Sequence, residues 1–324
     1  MNAKQQLVFI CGFPSGGTDL IKTILNAHPD VYFNGEMPWL YQAGQSEFSA
    51  DKLITASDVE RLRSFIQERD LWQNVENINA SCSTELSNTL QSVLYKLFSK
   101  RERVIWGNKT PQNTEHMTEL NKLFPEARFI IIVRDVRDVC LSYREKWGKD
   151  TNWCAAKWSQ RLQQGWITSQ NLPPQQTLFV HFESLLEDSP VVCQRLCDFL
   201  EIPFSKRMLE HHKYTNRVID GKRNYGRGIL SNNQQKWRKG FSPKRVQRIE
   251  EIAFETMKLF GYQPEYASHP RPITQVEYRM GQVKDASALL FVGNRASANN
   301  SLAKRVTILK DKFKAWRSHR QQPV

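Results

Sequence analysis

The sequence has few of the features that mark a secreted or membrane-spanning protein. Among its 324 residues are only six cysteines, too few and too scattered for the disulfide framework of a secreted domain. No stretch approaches the roughly 20 consecutive apolar residues that a transmembrane helix requires. Residues 1–6 lack the charged start and apolar stretch of a signal peptide. These absences favour a cytoplasmic protein whose cysteines are free thiols.

Acidic residues are fewer than basic residues, and the difference is uneven along the chain. The sequence has 33 Asp and Glu against 46 Lys and Arg, a formal net charge of +13. Residues 269–324 contain eleven Lys and Arg but three Asp and Glu, a net charge of +8. We therefore predict a main domain over 1–268 and a basic C-terminal extension over 269–324. We expect no nucleic-acid partner for the main domain.

The extension contains an amphipathic pattern over residues 302–317. Its apolar residues recur at spacings of three and four, with basic residues between them. This pattern predicts a helix that contacts an anionic membrane surface, a partner subunit or the core of the chain itself.

A strand, loop and helix pattern stands near the start of the chain. An apolar run over 7–11 stops at Gly12, a stretch of Gly, Pro and Ser follows, and apolar residues then recur at helical spacing. Gly16 and Gly17 let backbone N–H groups approach a ligand at the positive end of the helix. Such a loop holds phosphate or sulfate, although a glycine turn without a ligand is the alternative. Thr18 stands where a nucleoside-triphosphate loop requires lysine, which disfavours an ordinary ATPase or kinase.

Charged residues follow three predicted strands directly. Glu36 follows a short strand, Lys109 follows another, and Arg134 follows the continuous apolar run 128–133. A continuous run is typical of a parallel strand covered on both faces. In open parallel sheets, ligands bind at the carboxyl ends of the strands. We therefore predict an α/β fold, with a central parallel sheet flanked by helices on both faces and these charges near the loop.

Arg134 and Ser142 are close enough in sequence to bind one anion together. The guanidinium would supply a fork to a phosphate, and the hydroxyl a further donor. The alternative is a surface network in which Arg134 and Arg137 pair with Asp135 and Asp138.

The remaining segments give coarser predictions. They are a surface insertion over 44–83, an amphipathic helix over 86–98, helices over 114–124, 153–169, 189–200 and 242–261, a strand over 176–183, and a basic lid over 214–240. Residues 37–75 and 145–170 would build an acceptor pocket rich in aromatic residues.

Together these segments resemble the sulfotransferase family that uses 3′-phosphoadenosine 5′-phosphosulfate, particularly its bacterial, carbohydrate and tyrosyl branches. The resemblance runs in register from about residue 7 to residue 263. It rests on the loop 12–18, His28-Pro29-Asp30-Val31 before Gly35-Glu36, Asn108-Lys109-Thr110-Pro111, Arg134 with Ser142, Phe182-Glu183-Ser184-Leu185, and Lys236-Trp237-Arg238-Lys239 before Phe260-Gly261-Tyr262.

The resemblance implies a sulfotransferase with a P-loop-like fold that transfers a sulfonate group to a hydroxyl of a carbohydrate, phenol or tyrosine, lipid or small metabolite. Glu36 would be the base, and Lys109 would stabilise the leaving phosphate. Arg134 and Ser142 would bind the 3′-phosphate, and Arg227 is a weaker donor contact. The loop residues implied for the 5′-phosphosulfate are Pro14, Ser15, Gly16, Gly17, Thr18 and Asp19. The product would be adenosine 3′,5′-bisphosphate, and no metal is expected.

Two positions depart from the family pattern. The family's loop usually carries Lys or Arg directly after the proline, where this chain has Ser15. Asp19 adds a negative charge near an anionic ligand unless it caps the helix. A non-catalytic homologue that binds adenosine 3′,5′-bisphosphate is therefore the alternative, and a P-loop phosphotransferase is a further one.

Overall fold

A computed structural model describes residues 6–36, 104–214, 228–229 and 232–291. The predicted insertion over 44–83, the helix over 86–98, Arg227 and the pattern over 302–317 lie outside the described residues. The predicted boundary between residues 268 and 269 stays a prediction.

Five strands in the described part of the chain form one parallel sheet. They are β1 (Gln6–Gly12), β2 (Val31–Asn34), β3 (Ile105–Lys109), β4 (Arg128–Val133) and β5 (Thr177–His181). The spatial order is β2-β3-β1-β4-β5, and every neighbouring pair runs parallel. This confirms the predicted α/β fold with a central parallel sheet.

The apolar runs of the strands are buried on both faces of the sheet. On one face, Ile10 and Ile130 belong to a cluster that includes Ile21 of the first helix. On the other face, the Phe9 ring lies 5.9 Å from the Phe124 ring and 5.5 Å from the Phe129 ring, measured between centroids. Because alternate residues of a strand point to opposite faces, a continuous apolar run fills both.

Helices connect the strands and continue after the last of them. In chain order they are α1 (Thr18–Asn26), α2 (Met117–Leu123), α3 (Val136–Trp147), α4 (Thr151–Gln170), α5 (Phe182–Glu187), α6 (Ser189–Leu200), α7 (His211–Tyr214), α8 (Trp237–Gly240), α9 (Pro243–Leu259) and α10 (Gln275–Phe291). Short 3-10 helices cover Pro111–His116, Pro174–Gln176 and Lys206–Met208. Within the described ranges, no helix has the length and apolar character needed to cross a membrane.

Two predicted boundaries were wrong by a few residues. The helix predicted over 114–124 starts as the 3-10 helix Pro111–His116, because Pro111 presets a helical φ at its first residue. The strand predicted over 176–183 ends at His181, since Phe182 already begins α5. The helix predicted over 189–200 is confirmed as α6, and its cap is Asp188, whose side chain accepts a hydrogen bond from the Val191 amide at 3.1 Å.

The five cysteines that lie in the described ranges are buried free thiols, which confirms that expectation for them. Burial raises the pKa of the Cys193 thiol to about 12. A buried thiol with a raised pKa is a poor nucleophile at neutral pH, so this residue packs as a small apolar side chain.

The chain divides into two compact units. The first comprises Met1–Arg134, Arg161–Arg217 and Gly226–Asn232, and it contains the whole sheet. The second comprises Asp135–Gln160, Val218–Tyr225 and Asn233–Val324. The helix α4 contributes residues to both.

A buried ion network lies within the second unit. The guanidinium of Arg137 lies 2.7 Å from an oxygen of Asp135 and 2.7 Å from one of Glu250. Glu250 is fully buried and also accepts hydrogen bonds from the backbone amides of residues 265, 266 and 267. The predicted pair of Arg137 with Asp135 is therefore confirmed. Its predicted place on the surface was wrong, because the pair is buried, where losing one partner of an ion pair is costly.

The same network holds the Lys236–Lys239 motif. The amide of Trp237 donates to Asp138 Oδ1 at 3.0 Å, and the Arg137 guanidinium lies 4.2 Å from the centre of the Trp237 ring. Because the Trp237 side chain is almost fully buried, this part of the motif serves the packing of the second unit.

Candidate active site

The order of the strands singles out the carboxyl end of β1. From β1 the chain passes to β2 and β3 on one side of the sheet, and then to β4 and β5 on the other. Such a reversal leaves a crevice beside the central strand at the carboxyl end of the sheet, and open α/β proteins bind their ligands there. The glycine loop follows β1 at this point.

The loop has the backbone conformation that the glycines suggested. Gly12 and Gly17 adopt φ values of 145° and 102°, in the region that favours glycine. A Cβ on Gly17 would lie 2.3 Å from Cδ2 of Phe182, and one on Gly12 would lie 2.8 Å from the carbonyl oxygen of Ile132. Both glycines are therefore required by conformation and by space.

Ser15 is held in the middle of this loop. Its φ is 65°, a left-handed conformation that a non-glycine residue adopts at a cost of about 1 kcal/mol or more. Its carbonyl oxygen accepts a hydrogen bond from Arg134 Nη1 at 3.2 Å. Its buried Oγ has no hydrogen-bond partner within the described part of the chain. The loop thus offers a buried hydroxyl that can donate to an anionic ligand.

The helix after the loop presents its positive end to the same place. The N-cap of α1 is Gly17, which makes no side-chain cap hydrogen bond. Pro14 is half-buried before it, Gly16 is buried and donates its amide to the Phe13 carbonyl at 2.8 Å, and Thr18 is the buried first residue of α1. A helix start without a side-chain cap leaves room for an anion, so the loop fits a phosphosulfate group.

Lys109 and Glu36, both predicted from their places after strands, meet in the structure. Lys109 Nζ lies 2.6 Å from Glu36 Oε1 and 2.9 Å from Asp19 Oδ1. The lysine side chain is only 6% exposed, whereas Glu36 is 51% and Asp19 44% exposed. The buried Lys109 ammonium is therefore paired with two carboxylates that are both partly exposed to solvent.

The two carboxylates decide the charge of Lys109. Burial by itself lowers the pKa of a lysine, but the charges and hydrogen bonds of Asp19 and Glu36 outweigh burial and raise the pKa of Lys109 above its usual value. The ammonium is consequently charged throughout the physiological pH range. It can stabilise negative charge that develops on a leaving group.

Sequence reasoning missed Thr114, which ties the start of the loop to the segment after β3. Its Oγ1 accepts a hydrogen bond from the Gly12 amide at 2.7 Å and lies 3.1 Å from the Gly12 carbonyl oxygen. The two residues are 102 positions apart, and no local pattern in the sequence marks the contact.

Phe182 contacts both the glycine loop and Arg134. Its ring packs against Gly17, and the Arg134 guanidinium lies 4.3 Å from the ring centre. Arg134 itself is 7% exposed. The motif beginning at Phe182 contributes to the family resemblance in the sequence, but this role was not inferred from it.

Two of the predicted donor contacts are not tested by this arrangement. Ser142 lies half-buried on α3, in the second unit, so its joint binding with Arg134 stays a prediction. Arg227 lies outside the described residues. Across the ranges that the structure describes, no group of three or more His, Cys, Asp or Glu is placed to hold a metal ion.

Comparisons with known proteins identify the family. A model described as the sulfotransferase family matches residues 7–206. A putative protein-tyrosine sulfotransferase of Caenorhabditis briggsae is 25% identical over 226 residues, covering 67% of this chain and 72% of that protein. The protein-tyrosine sulfotransferase 1 of Danio rerio is 25% identical over 234 residues, covering 67% of this chain and 59% of that protein. The match to the Drosophila melanogaster protein-tyrosine sulfotransferase spans 42% of that protein.

Solved structures share the fold. The sulfotransferase domain of the Synechococcus PCC 7002 olefin synthase superposes with a TM-score of 0.60 at 18% identity, covering 81% of this chain and 97% of that domain. The sulfotransferase domain of the curacin biosynthetic pathway gives a TM-score of 0.57 at 17% identity, covering 81% and 99%. Since the family model covers well over half of the chain, the resemblance is confirmed, and the chain is an enzyme that belongs to the sulfotransferase family.

Proposed function

We propose that this enzyme transfers a sulfonate group from 3′-phosphoadenosine 5′-phosphosulfate to the hydroxyl of an acceptor. The observation that carries the proposal is the contact of Lys109 Nζ with Glu36 Oε1 at 2.6 Å, at the carboxyl end of the sheet that also bears the glycine loop. The site thus combines an anion-binding loop, a charged ammonium and a carboxylate open to solvent.

Different residues would bind the donor and act on the acceptor. The loop and the first turn of α1 would hold the 5′-phosphosulfate, and Arg134 would hold the 3′-phosphate by its guanidinium fork. When bound, the donor supplies the sulfonate, whose bond to the 5′-phosphate breaks as the acceptor oxygen bonds to sulfur. Glu36 would take the hydroxyl proton, and Lys109 would stabilise the charge that grows on the phosphate.

A phenolic hydroxyl is the first acceptor to test. A phenol, with a pKa of about 10, gives up its proton to a carboxylate base more readily than an aliphatic alcohol does. The named relatives are protein-tyrosine sulfotransferases, which supports testing a tyrosyl hydroxyl first. Carbohydrate, lipid and small-metabolite hydroxyls complete the panel of acceptors.

Calorimetric titration with adenosine 3′,5′-bisphosphate tests the donor, and transfer assays with the acceptor panel test the reaction. We expect bisphosphate binding by the wild type and by the control Lys109→Ala, and transfer by the wild type alone. Binding without transfer to any acceptor would favour the non-catalytic homologue, which the departure at Ser15 suggests. Turnover of ATP that requires Mg²⁺ would favour a phosphotransferase.

Location and further partners also stay proposals. We infer a cytoplasmic enzyme from the buried free thiols of the described cysteines. Contact with an anionic membrane or a partner subunit through 302–317 rests on the amphipathic sequence and on the +8 charge of residues 269–324.

A further inference from the structure

Asp19 stands where the family resemblance predicts a donor contact, yet its carboxylate points to Lys109. The distance from Asp19 Oδ1 to Lys109 Nζ is 2.9 Å. Asp19 does not cap its helix, because the N-cap is Gly17 and no side-chain cap hydrogen bond is formed there. The side chain therefore serves a contact between α1 and the end of β3.

The two carboxylates on Lys109 are held in different ways. Asp19 is the second residue of the regular helix α1, and its carbonyl oxygen accepts a hydrogen bond from Thr23 Oγ1 at 2.8 Å. Glu36 follows β2 and the bend at Gly35, and half of its side chain is exposed. Asp19 is thus anchored on a rigid element, whereas Glu36 stands on irregular chain at the edge of the site.

The proposed reaction changes the charge of only one of these carboxylates. When the acceptor proton reaches Glu36, its carboxylate becomes neutral, and its ion pair with Lys109 is lost. Among the described residues, the charged groups that face Lys109 are Asp19 and Glu36, so Asp19 then remains as its anionic partner. A buried ammonium without an anionic partner would lose its proton more readily.

We propose that Asp19 is a positioning residue that keeps the Lys109 ammonium charged and aimed while Glu36 carries the acceptor proton. The proposal rests on the function proposed above and deepens it. It assigns to Asp19 a role on the lysine instead of on the donor, where a carboxylate would repel the phosphates.

The variant Asp19→Asn tests this role, with Asp30→Asn as the matched control. Asp30 has a side chain of similar exposure, 42%, and contacts His28 instead of Lys109. NMR of isotope-labelled lysine, with the Lys109 signal assigned by Lys109→Arg, follows the titration of Lys109 in the ligand-free protein. We expect the titration to move to lower pH in Asp19→Asn and to stay unchanged in Asp30→Asn.

Activity and binding give two further measurements. We expect kcat to fall roughly tenfold or more in Asp19→Asn, as misplaced catalytic groups do, with the alkaline limb of its pH profile moved to lower pH. Affinity for adenosine 3′,5′-bisphosphate should stay equal or become tighter. Asp19→Ser repeats the measurements should the asparagine variant fold poorly.

The outcomes separate the two proposals. A Lys109 titration and a pH profile that do not move in either Asp19 variant would overturn the positioning role. Weaker bisphosphate binding in both variants would also overturn it and assign Asp19 to the donor. If the wild type does not bind the bisphosphate at all, the proposed function fails, while the Lys109 titration still decides whether Asp19 holds the lysine.

Discussion

Lys109 is the residue around which the site is built. It is buried at the end of β3, and the two carboxylates beside it come from α1 and from the chain after β2. Their charges outweigh the effect of burial on its pKa. The consequence is an ammonium that is charged before any ligand arrives and that needs no movement of solvent to act.

Glu36→Gln should lower turnover without weakening binding of the bisphosphate. The amide keeps the size of the side chain but cannot accept a proton, so kcat should fall about a hundredfold or more. Affinity for adenosine 3′,5′-bisphosphate should remain nearly unchanged, as measured by calorimetry. Equal turnover in the two proteins would place the base elsewhere.

Arg134→Ala should weaken bisphosphate binding by about 2 kcal/mol or more, because a charged hydrogen-bond partner is removed. Calorimetry measures the loss. The matched control is Arg128→Ala, which removes an arginine from the opposite end of β4, where it pairs with Glu201. Unchanged affinity in Arg134→Ala, or an equal loss in both variants, would contradict the assignment of Arg134 to the 3′-phosphate.

At the scale of the element, the strand, loop and helix of 6–26 form one continuous motif. The loop enters α1 through Gly17, whose backbone lies against the ring of Phe182. The same ring supports the Arg134 guanidinium. Thr114 bonds the backbone of Gly12 from the segment after β3. The anion loop therefore depends on contacts from three other segments.

Gly17→Ala should damage this element in two ways. Alanine is strained at a φ of 102°, and its Cβ would overlap the Phe182 ring. We expect a loss of about 1–3 kcal/mol in the free energy of unfolding and weaker bisphosphate binding, measured by denaturant titration and calorimetry. Gly35→Ala is the control, because a Cβ there meets no atom within 4 Å. Equal stability of the two variants would show that the loop tolerates a side chain.

At the scale of the whole molecule, part of the predicted extension over 269–324 makes contacts with the rest of the second unit. Its described part is bonded within the second unit: Arg271 pairs with Glu251, Glu277 with Arg248, and Asp285 accepts a hydrogen bond from the amide of Asp150. These contacts stabilise α9 and the start of α4. A truncation that aims to test the basic tail alone should therefore begin after α10.

Deletion of residues 292–324 should leave the donor site intact. The candidate site is built from residues 12–36, 109, 114, 134 and 182, far along the chain from this segment. We expect bisphosphate affinity within about threefold of the wild type by calorimetry, and weaker binding to vesicles of anionic lipid if the tail contacts a membrane. Loss of bisphosphate binding in a truncated protein that remains folded, as judged by circular dichroism, would make the tail part of the core.

Local sequence was enough to predict the strands, the glycine loop and the positions of Glu36, Lys109 and Arg134 after strands. These features depend on periodicity and on backbone preferences, which act over a few residues. The start of the helix after β3 was wrong, since a 3-10 helix already begins at Pro111, whereas α6 begins at Ser189 as predicted.

Only the tertiary structure decided which of these residues touch. The pairing of Asp19 with Lys109, the bond of Thr114 to Gly12 and the ion pair of Arg137 with Glu250 join residues far apart in the chain. Such contacts depend on how strands and helices pack, and charge or size at one position does not specify its partner. The sequence by itself therefore determined the chemical groups and the family, whereas packing determined that a buried lysine holds two carboxylates.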